Sequence, residues 1–351
     1  MTLYVDRNPA VVDRAHHNEH RNEHRNEHHH APTTADRTPH PLAHLTSLVL
    51  VACHSVYTGL DFQNPEDASA WALLDYQKST EGQTHSFLEH IMLGVEEAAK
   101  DDSALLVFSG GQTRKTAGPR AESQGYWLVA ESMGWFGTGR VVRDRSFTEE
   151  HSRDSLENLV FSLCRFYELT GRYPEQLTIV SYDFKEERFL DAHAAALGWW
   201  VLAPRPTYLD RRAAARPDSA LTRATRCALR PFARPEERMR FVGTPALNVG
   251  IDLGRRARPS LPFALSLSLT LRASLVRQEE MVKGEEKTRL LFEQDPYGCG
   301  DELLEKRLAR DPFANGAIDA DRCPALAPAF DACMRDEVST LLGPGSLPWW
   351  N

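Results

Sequence analysis

The sequence predicts an α/β fold: a Rossmann-like parallel sheet with helices on both faces, built as a single three-layer domain. Three observations carry this expectation. Short continuous apolar runs, the mark of strands buried on both faces, alternate with stretches of helical period, the pattern of a parallel sheet. One of the runs, Ala104–Ser109, leads straight into Gly110 and Gly111 and then towards a helix near Glu122. The distinctive polar residues also fall just beyond the apolar runs, and the carboxyl ends of the strands are where ligands bind in open α/β sheets.

Taken in order, residues 1–44 read as a disordered tail, with a four-residue repeat between His17 and His28 and almost no large apolar side chain. Such a segment cannot offset its own ordering entropy. On a helix, His20, His24 and His28 would share a face at metal-chelating spacing, but composition alone explains the repeat, and no metal site is expected. The α/β domain is expected over 45–250. Leu48–Ala52 is the first strand, ending at Cys53 and His54. Helices are expected from Pro65 to Tyr76 and from Thr84 to Lys100, where Phe87, Ile91, Val95 and Ala98 trace a stripe. Strand 104–109 follows, then a helix over Glu122–Met133, then a short strand at Val141 and Val142. Asp154 or Ser155 caps a helix that stops at Gly171. Leu177–Ser181 is the fourth strand, Glu186–Leu197 a helix, and Trp199–Leu202 the fifth strand.

The rest is less regular. Residues 205–240 are rich in Arg, Ala and Pro, and the alternating leucines between Leu261 and Leu271 have a strand period inside a low-complexity setting. Residues 251–290 are therefore expected to be a disordered insertion outside the core. Residues 291–351 are expected to be an extension that packs back on the domain, through the segments Phe292–Gly300 and Lys306–Pro312.

Composition narrows the function classes. The formal net charge is −8, which argues against a dedicated nucleic-acid surface. The least polar long stretch, Pro259–Val276, contains Pro262 and Arg272 and is too polar for a membrane span. No apolar leader is visible at the N-terminus. The six cysteines show no C-x-x-C spacing and read as reduced thiols of a cytoplasmic protein. No G-x-G-x-x-G, Walker A, G-x-S-x-G or H-E-x-x-H pattern occurs, so no cofactor is identified.

The candidate site is drawn from the strand ends. Ser109, Gly110 and Gly111 form a turn whose amides would cradle a phosphate or carboxylate. Arg114 follows, alongside Gln112 and Thr113, and suits bidentate anion recognition. Glu122 opens a helix, where the dipole already favours a carboxylate. Glu150, Asp154 and Asn158 would line the pocket mouth, Asp154 competing with a capping role. Ser181, Lys185 and Arg188 follow the fourth strand and would present two cations together. His54 ends the first strand, where it would serve either as an acid–base group or as a structural residue.

These residues carry a family likeness. The apolar strand ending at His54, Ser109–Gly111 with Glu122, the stretch Arg153–Asn158, and Ser181–Arg188 together resemble the domain of unknown function 218 family, the YdcF/SanA-like proteins, over roughly residues 45–203. The downstream segments at Phe241–Gly243 and Asp295–Gly300 resemble its fungal cytoplasmic branch. The resemblance implies a Rossmann-like fold and little chemistry. It also carries one departure: where bacterial members commonly place a His before the final Arg, this chain has Lys185, so a mechanism needing an imidazole there would not transfer.

Two functions remain open from sequence. One is a protein binding a small anionic ligand of nucleotide or phosphate type, with or without a reaction. The other is a non-catalytic scaffold, using the Arg-rich 205–240 segment or Trp349 and Trp350 to contact a protein partner. The clustering of polar residues at strand ends favours the first.

Overall fold

The computed structural model of the chain describes residues 40–80, 82–198, 238–245, 267–316, 318 and 322–330. Five strands make one sheet: β1 Ser47–Ala52, β2 Ala104–Ser109, β3 Ser146–Glu149, β4 Gln176–Tyr182 and β5 Met239–Thr244. All pairings are parallel, in the order β3-β2-β1-β4-β5. This is a Rossmann-like α/β domain, as the alternation of apolar runs and helices predicts.

The central strands β1, β2 and β4 are apolar over most of their length because both faces are covered. Leu48, Leu50, Leu105, Val107, Leu177 and Ile179 point into one core, and Val49, Val51, Leu106, Phe108 and Val180 into the other. That is the period-2 alternation of a strand applied twice. Helices α1 (Gln83–Ala99) and α2 (Glu122–Ser132) cover the second core. Helix α3 (Ser155–Thr170) and the helical stretch α4 (Arg188–Ala196) cover the first. Asp154 caps α3, accepting from the Glu157 amide at 2.9 Å, and Gly171 ends it in the left-handed conformation at φ 73°, both as the sequence implies.

Several elements differ from expectation. The helix foreseen from Pro65 to Tyr76 is a turn at Ala68–Ala70, an extended bridge between Tyr57 and Trp71, and a single helical turn at Asp75–Lys78. Trp71 explains this: it is buried among Tyr57, Phe87 and Tyr126, with its Nε1 donating to the Pro65 carbonyl at 2.8 Å. Val141 and Val142 lie in a helical turn, Arg140–Arg143, and the strand starts at Ser146. The proposed strand Trp199–Leu202 falls outside the described residues. The strand beside β4 is Met239–Thr244, whose short mixed sequence gives little apolar signal.

The segment expected to stay outside the core does not do so where it is described. Leu267–Gln294 is one helix, α5, so the leucines from 267 to 271 are helical rather than extended. Met281 and Val282 pack on the α1/α2 core, and Glu285 pairs with Arg188 at 3.0 Å in a buried contact. Helix α6 (Asp301–Ala309) follows, and Phe292, Tyr297 and Leu303 enter the first core. The cysteine reading also needs correction: Cys164 of α3 is disulfide-bonded to Cys323. No helix among the described residues is long and apolar enough to cross a membrane.

The Gly110–Gly111 turn is spent on packing. An added Cβ at Gly111 would lie 2.6 Å from the Ser152 carbonyl oxygen. Backbone atoms there cannot retreat, so Gly111→Ala is expected to cost about 1–3 kcal/mol, as over-packing does. Urea unfolding would show the midpoint falling at constant m-value, and an unmoved midpoint would contradict the packing. The Cys164–Cys323 bond closes a span of 159 residues. Its removal by Cys323→Ser is expected to cost roughly 2–5 kcal/mol, a loss that equal stability with and without reductant would rule out.

Candidate functional site

The strand order places a topological switch between β1 and β4. The chain leaves β1 towards β2 on one side, and β4 is added on the other. Crevices at such points, beyond the carboxyl ends of the strands, are the ligand sites of open sheets. Here a cavity of about 460 Å³ opens at that position. Its floor is Ala52, Cys53 and His54 at the end of β1 and Tyr182, Phe184 and Lys185 at the end of β4. Helix α5 supplies a wall through Met281, Gly284 and Glu285, and the end of α6 supplies Lys306 and Arg310.

Of the residues proposed from sequence, His54, Arg114, Glu122, Asp154, Asn158, Lys185 and Arg188 all line this cavity. They come from five separate parts of the chain. Ser181 sits directly behind it, fully buried, with its hydroxyl 3.3 Å from Nε2 of His54. The remaining four do not line it. Ser109 is fully buried, its Oγ donating to Glu149 Oε2 at 2.5 Å and accepting from Asn158 Nδ2 at 2.9 Å. The amides of Gly110 and Gly111 donate to the carbonyls of Glu149 and Ser152, and their own carbonyls accept from the amides of Ser123 and Glu122. The expected anion cradle is therefore occupied by the protein itself. Glu150 accepts from Gln124 and Thr148 and faces a second, smaller cavity of about 200 Å³ on the other side of β3.

Several lining residues have structural duties. Asp154, besides capping α3, accepts from Arg307 Nε at 2.8 Å. Burial opposes its charge, but Arg307 and the Glu157 amide outweigh it and hold the carboxyl below its usual range. Asn158 spends its amide on Ser109 and Ser152. Arg153 is held in a bidentate pair with Glu157 and a second pair with Asp311.

The chemistry concentrates at His54 and Lys185. The His54 carbonyl is fixed by Gln77 Nε2 at 3.0 Å and Arg114 Nη2 at 3.1 Å. Its ring stacks on Tyr182 at 4.6 Å, with Ser181 at Nε2 and Lys185 Nζ 3.3 Å from Nδ1. Burial, then the charges of Lys185, His90, Arg188 and Arg114, hold the imidazole pKa well below its ordinary value, so the ring is neutral. Burial also pulls Lys185 down, to about 7, with Arg188 adding to the effect and Glu285 opposing it.

The ionic balance of the cavity is uneven. Six cations line it, Arg114, Arg153, Lys185, Arg188, Lys306 and Arg310, against the four carboxylates of Glu122, Asp154, Glu280 and Glu285. Arg114 faces Glu122 at 3.5 Å, Arg153 pairs with Glu157, Arg188 with Glu285, and Lys306 with Glu302. Lys185 and Arg310 have no carboxylate partner among the described residues; Arg310 donates to the Arg153 carbonyl at 3.2 Å. Arg114, though mostly buried, leaves Nε without a protein partner among the described residues.

Sequence reasoning missed Gln77, Glu285 and Arg310. The first lies just past the end of the helix expected from Pro65 to Tyr76 and the second in the segment placed outside the core. Arg310 was within reach, since Lys306–Pro312 was expected to pack back. No group of three or more His, Cys, Asp or Glu able to hold a metal occurs among the described residues. The His20, His24 and His28 repeat, the 205–237 stretch and Trp349–Trp350 lie outside them.

No family model matches the chain, and no solved structure does. The chain is similar to a Saccharomyces cerevisiae protein named uncharacterized protein YOR238W. The two are 26% identical over 310 residues, covering 76% of this chain and 84% of the yeast protein. That name assigns no activity.

The state of Lys185 has a measurable consequence. Its folded pKa of about 7 lies below the ordinary 10.5, so between those values the folded chain binds fewer protons than the unfolded one. Stability from this residue therefore rises with pH across that window, by at most about 1.4 kcal/mol per unit. The unfolding free energy of wild type minus that of Lys185→Met is expected to climb from pH 7 to 10. A difference that stays constant with pH would mean the amine is charged in the folded protein.

Proposed function

We propose that this protein binds a small anionic ligand, of nucleotide or phosphate type, in the cavity between the ends of β1 and β4. One observation carries the reading: Lys185 Nζ is held in that cavity 3.3 Å from a neutral histidine, with no carboxylate in ion-pair contact among the described residues. An ammonium there is unfavourable alone and favourable beside an anion, because opposite charge at close range in a poorly hydrated site offsets the desolvation cost. Arg310 and the free Nε of Arg114 supply further donors, and guanidinium groups suit phosphate and carboxylate geometry. The aromatic and thioether groups of Tyr76, Phe184, Phe189, Met281 and Phe292 leave room for an apolar moiety.

We further propose that the chain belongs with the domain of unknown function 218 proteins, in a fungal branch. The order of the strand-end motifs, their gathering at one cavity and the similarity to a yeast protein support this.

Thermal denaturation with inorganic phosphate, nucleoside phosphates and sugar phosphates tests the binding reading. At a hundredfold excess over Kd, a true ligand stabilises by about 2.7 kcal/mol. Lys185→Ala is expected to weaken that ligand at least about tenfold, the loss of a charge-assisted contact being worth more than about 1.4 kcal/mol. If no member of the panel raises Tm, or if Lys185→Ala leaves a hit unaltered, the reading fails.

A further inference from the structure

We infer that Lys185 is a nucleophilic amine, placed to condense with the carbonyl group of a small anionic aldehyde or 2-oxo acid. This rests on the anion-binding reading and deepens it by naming the reactive group of the ligand. The geometry supplies each requirement of imine formation. The amine lines the cavity at the switch between β1 and β4, where a ligand would sit. No carboxylate among the described residues fixes it as an ammonium. Arg114, Arg188 and Arg310 line the same cavity, so a carboxylate or phosphate attached to the carbonyl has cationic partners. Lysines desolvated next to another cation are the ones that serve as amine nucleophiles. The depressed pKa of Lys185, with burial and then Arg188 as its causes, agrees with this placement.

His54 completes the arrangement. Its Nε2 faces the Ser181 hydroxyl and its Nδ1 faces Nζ at 3.3 Å. With the proton on Nε2, given to Ser181 Oγ, Nδ1 is left as a lone pair directed at the amine. The Nζ lone pair attacks the carbonyl carbon, a C–N bond forms, and the π electrons move to oxygen. The nitrogen sheds a proton to Nδ1, which returns it to that oxygen. In the second stage the C–O bond breaks and water leaves with a further proton from nitrogen, giving the imine. Atoms and charge balance with no oxidant or reductant. Burial and then positive charges, Arg188 and Arg114 among them, keep the imidazole neutral; an anion seated beside those arginines offsets the charge contribution and so eases transient protonation.

Reductive trapping on the full-length protein tests this. Glyoxylate and glycolaldehyde phosphate serve as separate probes, one a carboxylate and one a phosphate, with cyanoborohydride to reduce the imine and peptide mass spectrometry to locate it. At pH 7 an ordinary lysine is neutral in only about one molecule in several thousand, against about half for an amine of pKa near 7. Even after the lower basicity is allowed for, Lys185 is expected to be labelled on the order of tenfold faster than an exposed lysine. Lys78 and Lys100, both largely exposed, are internal controls in the same sample. His54→Gln is expected to slow labelling of Lys185 while leaving Lys78 and Lys100 unchanged, with circular dichroism confirming that the variant folds. Labelling of Lys185 no faster than the controls with either probe overturns the inference. A rise in Tm with inorganic phosphate in that same sample would then leave the binding reading intact, whereas rapid labelling without any phosphate effect would sustain the amine chemistry and remove the phosphate preference.

Discussion

The parallel register of β1 against β4 is the constraint on which the site depends. Ser47 lies opposite Gln176, and the pairing runs in step to Val51 opposite Val180. The residues that follow each strand are thereby delivered to the same height. His54 meets Ser181, Tyr182 and Lys185 although the two strands are more than a hundred residues apart in sequence. A slip of one residue would turn the apolar set of a strand to the opposite face, and both faces are already filled. The fit of two cores thus fixes the geometry of the polar pair His54 and Lys185.

The roof of the cavity is held by charge. Arg188 meets Glu285 of α5, and Arg307 of α6 reaches Asp154 and Glu157 at the start of α3. Buried pairs of this kind offset their own desolvation only while both partners are present. They bind α5 and α6 to the sheet more by the cost of separating them than by net attraction. Met281, Phe292 and Leu303 add apolar contact at the same surfaces. The walls of the site and the core of the domain are therefore one construction, which is why the segment past residue 280 cannot be treated as an appendage.

Gly110 and Gly111 illustrate how a correct local reading supports the wrong role. The sequence calls for a sharp turn with close backbone approach, and both are present. What approaches is protein: Cys53, Glu122 and the Ser152 carbonyl crowd the two Cα atoms. Their effect on the site is indirect, since they let α2 begin against the end of β2 and so place Glu122 beside Arg114. Asp154 follows the same pattern, reaching the cavity while its carboxylate serves a helix end and an arginine.

The sequence by itself determined the layered α/β class, three of the five strands and the principal helix limits, because apolar period, caps and left-handed glycines are local properties. It also determined that polar residues gather at strand ends, and seven of the twelve named candidates line one cavity. Tertiary structure decided the rest. Trp71 drew its segment out of the expected helix by burying its ring, and β5 was recognisable only beside β4. Which polar groups were already satisfied depended on partners far away in sequence, as with Ser109 and Glu149. Whether a lysine ends as a solvated charge or as a buried amine is likewise a property of its surroundings: desolvation and the field of neighbouring charges exist only once the chain has closed around them.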